Sequence, residues 1–123
     1  MRPVLNITNS GKKTEVEEFQ NSVLRPLLKL RNDELIKDFK VHGLKNHKQF
    51  EQLGDEDKKN LIFELLKKKT KLFVLLNTYI MSEFTDQESK FYLEHKKELN
   101  KRLKEMMGQR LGSNLSKLTS KLA

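Results

Sequence analysis

The chain has 123 residues, 36% of them apolar and 34% charged, and a formal net charge of +8. That length suits one domain with a single modest core, and so lean an apolar fraction suits helices with one narrow apolar stripe and a broad solvated face. Cysteine is absent, which excludes disulfides, thiolate zinc sites, iron–sulfur ligation and a cysteine nucleophile. The most apolar stretch, Leu72 to Met81, contains Asn77 and Thr78 and falls short of the roughly 20 apolar residues that span a bilayer. A soluble, cytoplasmic protein with no membrane partner is expected.

Residues 1–13, with Pro3 and Gly11 and little periodicity, read as a flexible N-terminal arm. Thr14 and Glu17 have capping-box spacing and open a helix. Its apolar positions run from Phe19 through Val23, Leu24, Leu27, Leu28, Leu35, Ile36 and Phe39 to a stop at Gly43. Pro26 lies inside that pattern. Because proline removes an N–H and crowds the carbonyl four residues back, one helix kinked at Pro26 is predicted.

Asn46 is expected to cap a short helix ending at Gly54, and Asp55 the next one, with stripe residues Leu61, Ile62, Leu65 and Leu66. Four lysines among residues 67–71 interrupt the stripe before it resumes at Leu72. A break there, with Thr70 as the second N-cap, is predicted. Thr85 and Glu88 form the clearest capping box, opening a helix that carries Phe91, Tyr92, Leu99, Leu103, Met106 and Met107. Gly108 and Gly112 are expected to weaken its end, and without an apolar span they are not a membrane dimer motif. Leucines at 111, 115, 118 and 122 keep helical spacing, but Ser, Thr and Gly dilute them. The expected architecture is all-α, a compact bundle of about four main helices spanning residues 14–112, with 113–123 a frayed or disordered tail.

The positive charge concentrates at two places. Residues 1–14 carry three basic groups and no acid, and residues 85–123 carry nine basic groups against five acidic. Lys97, Lys101, Lys104 and Arg110 are therefore a candidate polyanion surface. A second candidate site lies near the proline. Asn21, Arg25, Leu28 and Asn32 have the spacing of one helical face, and with Gln20 they offer polar groups for a small anion or a partner backbone. The competing reading has these groups satisfy a kinked backbone and bond neighbouring helices, and it is preferred.

No P-loop, nucleophile elbow, HExxH or dinucleotide fingerprint is present. His42, His47 and His95 lack the spacing of a zinc site and read as loop or surface residues. The acid groups Glu17/Glu18 and Asp55/Glu56/Asp57 sit at helix starts, where the macrodipole explains them. No catalytic residue, metal ligand or cofactor is expected.

The block Phe19 to Pro26 matches a Phe-Gln-Asn-x-x-Leu-Arg-Pro pattern. With the Phe84–Thr85 helix start and Arg110, it resembles an uncharacterised family of small all-helical bacterial proteins, over most of residues 15–112. Some members carry the label glyoxalase, which implies metal-dependent handling of a glutathione hemithioacetal. This chain has neither the His-x-His cluster of the hydrolase class nor the strand-rich domain of the lyase class.

Three functional expectations follow, in order. The first is a non-enzymatic helical module that binds a protein partner or itself. The second is nucleic-acid binding through the basic C-terminal helix. The third is an enzyme with a small site near Arg25.

Overall fold

The computed structural model describes residues 14–119. The expected arm at 1–13 and residues 120–123 lie outside them. Among the described residues the chain is an all-α bundle of seven helices, which corrects the expectation of about four.

Helix α1 (residues 15–30) starts on Thr14, whose Oγ1 accepts the Glu17 N–H at 3.0 Å. It runs as an α segment Glu15–Phe19, a π segment Gln20–Leu24 and a second α segment Arg25–Leu30. The Arg25 N–H reaches back five residues to the Gln20 carbonyl, a widened register directly ahead of Pro26. A π turn thus takes up the missing proline N–H inside a continuous helix. The break comes later, at Arg31, whose φ of −100° and ψ of 18° leave the helical region. At the predicted kink the helix changes register through the π segment ahead of Pro26, and a break follows five residues on, at Arg31.

Helix α2 (residues 32–43) follows, α over Asn32–Asp38 and π over Phe39–Gly43. A 3-10 segment, Lys48–Gln52, starts on His47 instead of Asn46. Helix α3 is Asp55–Lys68 and its N-cap is Gly54, so Asp55 is the first helical residue. Helix α4 is Thr70–Met81. The predicted break falls at Lys69, which takes the cap position in place of Thr70 and has a ψ of 89°.

Helix α5 is Asp86–Glu94, opened by the full capping box of Thr85 and Glu88. Helix α6, Lys96–Gly112, is separated from it at His95, with φ −124° and ψ 28°. The ring of His95 stacks on Phe91 at 4.2 Å, and its Nδ1 lies 3.1 Å from the Phe91 carbonyl oxygen. A single helix was expected across this point. Residues 113–119, assigned by sequence to a frayed tail, form a turn and helix α7, Leu115–Thr119, with Leu118 buried.

Helix α6 is the hub. It packs most extensively on α3 and also meets α1, α5 and α7, while α4 lies against α2 and α3. Leu99, Leu103, Met106, Met107 and Leu111 of α6 join Phe19, Leu24, Ile62, Leu66, Leu76 and Ile80 in one core. Phe19 stacks on Phe91 at 4.8 Å and meets Phe84 edge-on at 5.8 Å, fastening the start of α1 to α5. No described helix is long and apolar enough to cross a membrane.

Candidate functional site: the groove between α3 and α6

Two features of sequence that are far apart in the chain meet at the α3–α6 crossing. The end of α3 carries Lys67 and Lys68, and the start of α6 carries Lys97, Lys101 and Lys104. Together with Phe63, Glu64, Asn100 and Glu105 they line an open groove of about 900 Å³. Lys97, Lys101 and Lys104 recur at i, i+4 and i+7, which sets them on one face over roughly 10 Å of helix axis.

The charges of this rim are unevenly compensated. Lys68 donates to Glu64 Oε1 at 2.7 Å, and this bond holds the Glu64 carboxyl below the usual carboxylate range. Lys104 places its Nζ 5.0 Å from the centre of the buried Phe73 ring, a cation–π contact that fixes its stem. Lys67, Lys97 and Lys101 form no ion pair among the described residues. The floor includes the half-buried ring of Phe63.

That ring lies where it does because residue 108 is glycine. A Cβ there would stand 2.3 Å from Phe63 Cε1 and 2.6 Å from Cδ1. Gly108 thus lets α6 approach α3 closely enough for the two lysine rows to face each other. At Gly112 the nearest atom to such a Cβ is the flexible Lys59 Cγ, at 3.3 Å. The G-x-x-x-G spacing serves helix packing within the chain.

Beneath the groove a polar chain enters the core. The buried Asn77 donates from Nδ2 to the Tyr92 hydroxyl at 3.0 Å, and that hydroxyl donates to Oδ1 of the groove residue Asn100. Burial pushes the Tyr92 phenol up, against the effect of its two amide partners. Asn77 Oδ1 is buried with no hydrogen-bond partner.

The four polar residues expected near the proline are only partly brought together. Leu28 is buried while Asn21 and Arg25 are exposed, so positions 21, 25, 28 and 32 do not share a face. The π segment changes the phase of the helix between them. Gln20 accepts from Arg102 Nη1 at 2.8 Å, and Asn32 accepts from Arg110 Nη1 at 3.3 Å. Both act as ties between α1–α2 and α6. Arg25 meets Asn21 at 3.4 Å and lines a smaller hollow of about 540 Å³ with Gln20, Lys101 and Arg102. Of the expected polyanion surface, Lys97, Lys101 and Lys104 line the larger groove. Arg110 stands apart beside Asn32.

Sequence reasoning missed Phe63, Lys67, Lys68 and Asn100 as groove residues. The lysine run at 67–71 was the available signal, and it was read only as a helix break. Among the described residues no group of three or more His, Cys, Asp or Glu side chains is arranged to hold a metal ion.

Fold and site define an all-α helical bundle with a lysine-rimmed groove. In comparisons with known proteins, no family model, no curated protein and no solved structure matches the chain. Within the block Phe19 to Pro26, Phe19, Val23 and Leu24 are buried and Gln20 is a helix tie.

Proposed function

We propose that this protein is a non-enzymatic helical interaction module, acting in the cytoplasm, and that the α3–α6 groove is its partner-binding surface. The observation that carries this reading is the convergence of five lysines from two helices on one concavity with an aromatic floor. Concave, partly apolar surfaces with a polar rim are where partners dock. Holding several like charges around one hollow, four of them without an ion pair among the described residues, is unfavourable for the isolated fold. An oppositely charged partner removes that cost.

The test is selection of binders from an unbiased displayed-peptide library on the full chain, followed by rebinding to the double variant Lys97→Glu/Lys101→Glu. Both residues are exposed, so the substitutions leave the core intact, which circular dichroism checks. Selected peptides should lose about tenfold or more in affinity for the variant. An empty selection, or peptides that bind both proteins equally, removes the groove as the interaction surface.

A further inference from the structure

We infer that the occupant of the α3–α6 groove is an acidic amphipathic helix of a partner protein. This rests on the interaction reading above and adds the chemistry of what is bound. Lys97, Lys101 and Lys104 present ammonium groups at the repeat of a helix face. Carboxylates at i, i+4 and i+7 of a second helix laid alongside α6 match that repeat. The opposite wall supplies Lys67 and Lys68, so a docked helix meets positive charge on both flanks. Between the flanks the Phe63 ring offers an apolar floor for one or two apolar anchors, the arrangement of helix-in-groove recognition.

Charge decides against the other occupants. A second copy of this chain carries net +8, and residues 1–13 hold Arg2, Lys12 and Lys13 without an acid, so both are repelled by the rim. For a nucleic-acid strand the lining offers a single aromatic ring, that of Phe63. One side of Phe63 is already covered by the α6 backbone at Gly108, which leaves less of the ring for base stacking. The cations of the lining are all lysines, without the arginine fork that grips phosphate bidentately.

The experiment titrates the full chain with three fluorescent probes near physiological salt. One is an 18-residue or so peptide with leucines at helical spacing and glutamates on both flanks. The second is the same composition scrambled to destroy the amphipathic face, and the third is a single-stranded thymidine oligonucleotide. The amphipathic peptide should bind about tenfold or more tighter than its scramble. Lys97→Glu/Lys101→Glu should weaken it by a similar factor, and Lys90→Glu, outside the groove, should leave it unchanged. A peptide with its glutamates changed to lysine should prefer the double variant. Equal binding of peptide and scramble overturns the inference, as does preference for the oligonucleotide. Self-association that Lys97→Glu/Lys101→Glu dissolves in sedimentation also overturns it. If the acidic peptide fails but library-selected peptides of other chemistry depend on Lys97 and Lys101, the interaction reading stands and only the acidic helix is lost. If neither binds, both are lost.

Discussion

Gly108 on α6 and the ring of Phe63 on α3 are fitted to each other, with no room for a methyl group between the backbone of one and the side chain of the other. Gly108→Ala should therefore destabilise the protein by about 1–3 kcal/mol through overpacking, although alanine is the better helix former by about 1 kcal/mol. Gly112→Ala, which meets only the Lys59 stem, should change stability by no more than about 0.5 kcal/mol. Urea unfolding of the two variants gives the comparison. A neutral Gly108→Ala would show that the ring turns aside freely.

The Asn77–Tyr92–Asn100 chain is a buried polar network with one acceptor unmatched. Tyr92→Phe leaves Asn77 without a partner for either amide atom and should cost about 1–3 kcal/mol. Adding Asn77→Leu removes the stranded amide and should recover most of that loss, since replacing both partners by apolar groups can be near neutral. Chemical denaturation of the single and double variants checks this. A double variant weaker than Tyr92→Phe alone would mean the leucine does not fit the space that Asn77 leaves.

Alkaline stability should fall for a reason carried by both tyrosines. The chain has two Tyr and no Trp, so ultraviolet titration reads Tyr79 and Tyr92 alone. The hydrogen bond that Tyr79 donates to Asp38 at 2.5 Å raises its pKa, and burial raises that of Tyr92. Folding thus favours the neutral phenols. Their stabilisation is complete below the unfolded value of about 10 and is lost as pH rises through the folded pKa values. The native protein should ionise its tyrosines at higher pH than the urea-unfolded chain. Coincident titration curves would refute this.

At the acid end two carboxyls are held low, Glu64 by Lys68 and the less exposed Glu34 by Arg31. Arg31 donates to Glu34 at 2.8 Å and to Glu83 at 2.7 Å, and the first of these bonds holds the Glu34 carboxyl below its ordinary range. Its stabilisation is present above the unfolded glutamate value of about 4.3 and is lost as pH falls through the lower folded pKa. Glu34→Gln should flatten the acid limb of a plot of unfolding midpoint against pH. An unchanged limb would place the acid sensitivity elsewhere.

Leu118 tests the C-terminal end. It is 2% exposed on a five-residue helix, too short to form without tertiary packing. Leu118→Ala should cost about 2–3 kcal/mol, toward the low end for a buried leucine. A change near zero would return α7 to the frayed tail read from sequence.

The sequence by itself determined the all-α class, because five glycines and two prolines leave long uninterrupted helical periodicity. It also placed the helix starts at Thr14 and Thr85, where a side chain three residues from its partner makes a local bond. The Lys67–Lys71 break was legible too, to within one residue, since a run without an apolar anchor has nothing to hold it to the core. The breaks at Arg31 and His95 were not legible. Neither carries glycine or proline; Arg31 bonds the distant Glu83, and the His95 side chain turns back onto the Phe91 ring and carbonyl. The phase shift that separates Leu28 from Asn21 and Arg25 was hidden as well, because sequence spacing assumes 3.6 residues per turn and α1 contains a π segment. Individual lysines of the groove could be read in the chain, as could the glycine at 108. Only the tertiary structure set Lys67 and Lys68 opposite Lys97, Lys101 and Lys104, because the facing of two helices depends on how closely their backbones approach, and that is decided where Phe63 meets Gly108.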